Sequence, residues 1–245
     1  APWASIHTVA LPKEIYAYPA DKTVTVGVPL VHHYKPFTVS EVHKAREQIG
    51  VNPEGRMVLI TGGGLGARRL NDAVASCVPE LLDRYKDLTI VQIAGRANEA
   101  ALRQYYKKEL SEDKQKRVIV KGYITNMYVY SGAASVVVTR AGATSIAEFA
   151  AQKKPCVVVP NPLLTGGHQL KNALVLAERR AVKVVDEATL RQDNHALMPA
   201  LVDLLDNPHR AAEFGKKLGE FAEPDSAKRL AVVLLDVAAE RPQNT

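Results

Sequence analysis

Between Arg56 and Val185, six short β-branched runs ("RMVLI", "LTIVQIA", "RVIVKG", "ASVVVT", "PCVVVP" and "AVKVV") alternate with longer segments of helical period. Nothing else in the chain restricts its fold as much. Runs this apolar have no face for water, so the sheet they build must be covered on both sides by the connecting helices. That is an α/β fold, a Rossmann-like doubly wound parallel sheet. Helices are expected near residues 67–83, 97–110, 125–132, 144–152 and 168–179. After Val185 the chain turns helical, with Asn207-Pro208 and Glu223-Pro224 as breaks between elements. Ahead of the first run, "SEVHKAREQIG" reads as a helix with Ser40 as its N-cap and Gly50 as its stop, opening a domain that spans residues 37–245. Residues 1–36 read as a linker or the tail of a preceding domain. In them "DKTVTVGVPLVHHYKP" is one strand ending in a proline-bearing loop.

Composition narrows the function. A chain of 245 residues with 47% hydrophobic side chains can bury a sizeable core, which excludes a disordered protein. The net charge of +6 is spread over "RYK", "YYKKEL", "KQKRV" and "GKKL", on expected helix surfaces and strand entries. No nucleic-acid partner is expected from that spread; an anionic ligand or an acidic membrane surface suits it better. Cys77 and Cys156 read as small buried hydrophobes, which fits a reducing cytoplasmic setting. No apolar run approaches the length of a membrane span, and "APWASIHTVALP" lacks the features of a signal peptide. The absence of an initiating methionine gives the expectation of an excised piece.

The stretch "ITGGGLGARRLNDAV" places Gly62, Gly64 and Ala67 on the G-x-G-x-x-[GA] template between a strand and a helix. Such a loop receives phosphate because glycines admit the backbone closely and the helix start offers free N–H groups and a positive dipole end. A dinucleotide site also needs an acid about 20 residues further on, for the ribose. The second run ends "VQIAGRAN" without one, although Arg96 would suit the extra phosphate of NADP.

A second constellation lies in "TRAGATSIAEFAAQKKPCVVVP", Thr139 to Pro160. Gly142 permits a tight turn after Arg140, and Thr144 and Ser145 stand at the start of a helix whose inward stripe is read as Ala143, Ile146, Ala147 and Ala150. Ser145 and Glu148 share another face. Phosphate would meet the first turn, while Glu148 is placed to accept hydrogen bonds from a ribose diol. Further on, "NPLLTGGHQLKNALVLAERR" gathers His168, Gln169 and Asn172 on the first turn of the next helix, where groups that both donate and accept suit sugar hydroxyls. Taken singly, capping and ordinary surface roles explain these residues better than ligand binding does. No metal-ligand motif is present, and no cofactor is expected beyond a substrate nucleotide.

Taken together and in this order, "GGGLGA", "GYITNMYVY", "TRAGATSIAEFAAQKKPCVVVPNP" and "GGHQLKNA" resemble the C-terminal domain of the MurG-type glycosyltransferases. The resemblance runs from about Val24 to the C-terminus and implies the C-terminal half of a GT-B fold followed by C-terminal helices. It further implies a donor site for UDP-N-acetylglucosamine and inverting transfer to the lipid-linked muramoyl-pentapeptide precursor of peptidoglycan. By resemblance, Glu148 binds the uridine ribose, Thr144 and Ser145 the pyrophosphate, and Tyr123, Ile124 and Met127 the uracil. His168, Gln169, Asn172 and the backbone of Ala143 address the sugar, while Gly63, Gly64, Arg140 and Gly142 complete the donor loops. The chain departs from the family at Val31, where an arginine is common, at Gly64 in place of a serine, and at Gly167 in place of an acid. The resemblance also implies that the acceptor site, the base and a peripheral membrane patch at the inner face of the plasma membrane belong to an N-terminal domain or partner subunit outside this chain. Another GT-B transferase of diacylglycerol or split type, a sugar-nucleotide epimerase and a non-catalytic nucleotide-sugar binder remain alternatives.

Overall fold

A computed structural model describes residues 4–63, 67–162 and 167–239. A small outer unit comes first: strand β1 (His7–Val9) and strand β2 (Thr23–Thr25) pair in parallel, His7 opposite Thr23. The stretch read as one long strand is therefore a short one, and its partner comes from the segment ahead of it. Gly27, at φ +79°, turns the chain away beside the C-terminal segment; a Cβ there would stand 2.5 Å from that of Glu223. That close approach ties residues 4–36 to the end of the chain.

Helix α1 (Val39–Gln48) starts one residue before the expected cap. Thr38, not Ser40, caps it, because Thr38 has a glutamate three residues on: Thr38 N donates to Glu41 Oε2 at 2.7 Å and Glu41 N donates to Thr38 Oγ1 at 3.3 Å. Gly50 ends the helix at φ +74°, as read. Strand β3 (Arg56–Thr61), helix α2 (Arg68–Arg84), strand β4 (Leu88–Ile93), helix α3 (Glu99–Glu109), the single turn α4 (Glu112–Gln115) and strand β5 (Val118–Lys121) follow. Then come α5 (Met127–Ala133), β6 (Val136–Thr139), α6 (Ala143–Ala151), β7 (Cys156–Val158), α7 (His168–Glu178) and β8 (Lys183–Val184). Four helices close the described chain: α8 (Glu187–Gln192), α9 (Met198–Asp206), α10 (Pro208–Gly219) and α11 (Ser226–Ala239).

The sheet runs β5-β4-β3-β6-β7-β8, with every pair parallel. The two-residue period of a strand assigns its faces. Val58, Ile60, Val136 and Val138 face a core made with α2, α3 and α9, whereas Met57, Leu59 and Val137 face a second core made with α5, α6, α7 and α10. Both cysteines are buried and free, as expected. The lower end of the sheet is held by two buried cations that bond only to oxygens of neutral groups. Arg46 donates to Ala133 O at 3.0 Å, Pro53 O at 2.9 Å and Ser135 Oγ at 3.1 Å, and Lys154 donates to Gly132 O at 2.6 Å and Ala134 O at 3.1 Å. Burial and the neighbouring Arg46 push the Lys154 ammonium down to about 8.

Candidate functional site

The strand order reverses direction between β3 and β6, so the loops leaving those two strands part to opposite sides of the sheet and leave a crevice. The two glycine-bearing stretches singled out in the sequence are those loops. Pairing of Thr61 with Thr139 brings Gly62 and Gly63 alongside Arg140 and Gly142. A buried network anchors the β3 side: Tyr106 Oη donates to Gln92 Oε1 at 2.6 Å, Gln92 Nε2 to Asn71 Oδ1 at 3.1 Å, and Asn71 Nδ2 to Ala94 O at 2.9 Å. Gly63 has φ +83° and, among the described residues, nothing within 4 Å of the place a Cβ would take. Gly64 lies outside the described residues.

Gly142 is the N-cap residue of α6, and no side chain among the described residues bonds to that helix start. A Cβ on Gly142 would likewise meet none of the described residues within 4 Å. The first-turn N–H groups of α6, at Ala143, Thr144 and Ser145, are thus left for a ligand or water. Thr144 is exposed and Ser145 half-buried. The inward stripe of α6 differs from the one expected: Ile146, Phe149 and Ala150 are fully buried, while Ala143 and Ala147 are only partly covered. Phe149, the largest side chain on the helix, takes the core, and the small residues turn toward a flanking cavity. That 530 Å³ cavity is lined by Ala143 and Ala147 on one side and Val28, Val31 and Tyr34 on the other.

One turn into α6, Glu148 is half-buried. Burial raises its carboxyl above the usual range, and the nearby Tyr34 hydroxyl pulls it partly back. Nothing in the local pattern announces Tyr34, which arrives from a segment more than a hundred residues away in sequence.

The remaining singled-out residues divide by what their polar atoms already do. Arg140 is buried, and its Nη1 donates to Val159 O at 3.0 Å and pairs with Glu187. Glu187, at 5% exposure, also meets Arg69 at 3.5 Å. The structure therefore sets Arg140 apart from the open cleft, its charge held by an acid on a short helix that strand and helix patterning did not single out. Asn172 is buried too, and its Nδ2 donates to Ala141 O at 3.0 Å, which ties α7 to the turn that starts α6. Gln169 Oε1 accepts from Asn161 N at 2.9 Å, and His168 is exposed at the head of the helix. At the end of β5, Tyr123 is 56% exposed with the Arg96 guanidinium over its ring at 4.7 Å, whereas Ile124 and Met127 pack into the core from the edge. Among the described residues no three His, Cys, Asp or Glu side chains converge, and no helix is long and apolar enough to cross a membrane.

An open helix start, a glycine turn across from it and a half-buried carboxylate one turn on, all at the switch point of a parallel sheet, place this chain among the open α/β folds whose crevice suits a phosphate-bearing ligand. The chain belongs to the glycosyltransferase family 28 C-terminal domain family, whose model matches residues 57–230. It is 30% identical over 226 residues to the UDP-N-acetylglucosamine--N-acetylmuramyl-(pentapeptide) pyrophosphoryl-undecaprenol N-acetylglucosamine transferase of Bacteroides fragilis, covering 91% of this chain and 57% of that protein. The enzyme of the same name from Chlorobium limicola is 33% identical over 204 residues, covering 83% of this chain and 53% of that one. Among solved structures, MurG of Acinetobacter baumannii superposes with a TM-score of 0.70 at 22% identity, over 95% of this chain and 60% of its own. The fold is therefore that of the C-terminal half of a GT-B glycosyltransferase, and the chain spans somewhat over half the length of the curated relatives it matches.

Proposed function

We propose that this chain is the donor-binding half of an inverting N-acetylglucosaminyltransferase that takes UDP-N-acetylglucosamine and glycosylates a lipid-linked muramoyl-pentapeptide. The observation that carries the reading is the pairing of the uncapped α6 start with Glu148 one turn on, a spacing that suits a pyrophosphate and the ribose attached to it. The printed names of the relatives supply the sugar and the acceptor. In the reaction the acceptor hydroxyl attacks the anomeric carbon as the bond from that carbon to the β-phosphate oxygen breaks. UDP leaves, and the hydroxyl proton passes to a base outside this chain. Charge growing on the leaving diphosphate meets the α6 N–H groups and the turn at Gly62 and Gly63.

The acceptor half, fused to this chain or carried by a partner subunit, completes the cleft and brings the enzyme to the inner face of the plasma membrane. The exposed Val232, Leu234 and Leu235 of α11, the first of which lines a groove with Val24 of β2, support such a contact. Positioning of the acceptor supplies about 7 to 11 kcal/mol of such a barrier. This chain alone is therefore expected to bind donor without transferring sugar, and robust turnover by it alone would refute the half-enzyme reading. Calorimetry tests the donor assignment. UDP and UDP-N-acetylglucosamine should bind while NAD and NADP do not, and Glu148→Ala should weaken UDP by about 1.5 to 3 kcal/mol, the range for a charge-assisted hydrogen bond. Binding of NADP without UDP would overturn the assignment.

A further inference from the structure

The turn after β4 is built rigidly around one exposed arginine. Gly95 takes φ +85°, Asn98 N donates to Gly95 O at 3.0 Å, and Asn98 Nδ2 donates to Ala94 O at 3.0 Å. Ala94 N in turn donates to Lys121 O at 2.8 Å, which fastens the turn to the end of β5. The position after Lys121 admits only glycine: a Cβ on Gly122 would stand 3.1 Å from Arg96 Cα and run into the Glu99 carboxylate, itself held by Arg103 Nη2 at 2.9 Å. These contacts fix where the Arg96 side chain starts, and its guanidinium lies over the Tyr123 ring, 4.7 Å from the centroid. Among the described residues no hydrogen bond or ion pair engages that guanidinium. A cation resting on an exposed ring adds little to a fold. A guanidinium with five N–H donors and no acceptor, set beside an aromatic face, suits a flat ligand that carries carbonyl oxygens on its rim.

We propose that Arg96 is a specificity-determining residue for the base of the donor nucleotide, donating to the pyrimidine carbonyl at C4. The inference rests on the donor-site reading, in which the diphosphate meets the α6 start and Glu148 takes the ribose. Helix α6 follows β6, and β5 lies three strands away in the sheet, about 14 Å at the usual spacing. A nucleotide held at α6 therefore extends its base toward Tyr123, and the base edge farthest from the ribose, at C4, is the part that reaches Arg96. Uracil has a carbonyl there and cytosine an amino group, whereas the carbonyl at C2, next to the glycosidic bond, is common to both. A donor-only group at C4 hence favours uracil and opposes cytosine, whose amino group also donates.

Calorimetric titration of the chain and its Arg96→Met variant with UDP and with CDP decides it. Arg96 is exposed, so the substitution should leave the fold intact, and methionine keeps an unbranched cover on the tyrosine ring. UDP and CDP carry the same charge, so attraction to the diphosphate cancels in their ratio. The unmodified chain should bind UDP more tightly than CDP. Arg96→Met should lose about 3- to 10-fold in UDP affinity while binding CDP as well as before or better, so that the preference narrows. An equal loss for both nucleotides would make Arg96 a general attractor of anions, and no loss for either would leave base selection to other groups; either result overturns the proposal while the donor site stands. Failure of the unmodified chain to bind UDP would remove the donor-site reading itself, and the role of Arg96 with it.

Discussion

Removing the Glu187 carboxylate tests whether Arg140 is a pillar of the site or a contact within it. Arg140 and Glu187 are 7% and 5% exposed, so each charge is compensated by the other and by little water. In Glu187→Ala the guanidinium keeps its bond to Val159 O at 3.0 Å but loses its counter-charge. Leaving one partner of a buried pair alone costs about 3–5 kcal/mol. The second partner of Glu187, Arg69, has a side chain that is 51% exposed, so Arg69→Ala should cost no more than about 1 kcal/mol. Replacing the buried pair together, as Arg140→Met with Glu187→Leu, removes both desolvated charges and should recover most of the loss. Urea unfolding followed by circular dichroism reads all four proteins, and UDP titration of Glu187→Ala reads the site. A Glu187→Ala cost below about 1 kcal/mol would refute the pillar argument. A Glu187→Ala variant that loses stability without any change in UDP affinity would confine the pair to the fold and separate it from the site.

Lys154 gives a pH dependence of defined sign. Its folded value, pushed from 10.5 down to about 8, means that between those limits the unfolded chain binds the proton more fully than the folded one, so stability rises with pH across that window. Below it the cost of the buried charge is constant. Relative to Lys154→Met, the unmodified protein should gain roughly 3 kcal/mol from pH 8 to 10.5, and a flat difference between the two unfolding curves would show that the ammonium is not penalised. Asn172→Ala should weaken UDP and UDP-N-acetylglucosamine to the same extent, since it frees the Ala141 carbonyl and loosens the start of α6. A loss confined to the sugar nucleotide, seen by calorimetry, would return Asn172 to the sugar.

Local pattern sufficed for much of this molecule. Each of the six β-branched runs is a strand of one parallel sheet, because residues such as Val136–Thr139 are buried throughout and suit no other element. The order of those strands was not legible. It depends on which crossover goes to which side, yet it is what turns two unremarkable glycine turns into the two walls of one crevice. Boundaries failed where two local signals competed: Ser40 and Thr38 are both good caps, and only Thr38 has Glu41 three residues on.

Partners distant in the chain account for the rest. Arg140, Asn172 and Glu148 all read as polar residues at helix starts or on helix faces, and spacing cannot rank them. In the fold, Arg140 is held by Glu187 and Asn172 by Ala141 O, whereas Glu148 is half-buried beside Tyr34 and the α6 start meets no capping side chain among the described residues. A ligand can be held only by hydrogen-bonding capacity that the fold has left unspent. By that criterion the donor site proposed here draws on the N–H groups of Ala143–Ser145 and on Glu148, with Arg140 and Asn172 as the residues that hold the turn ahead of them. Gly142 and Ala141 adjoin one another, so the buried partners and the open start of α6 share a single turn, and strain admitted at either partner reaches that start through one or two peptide units.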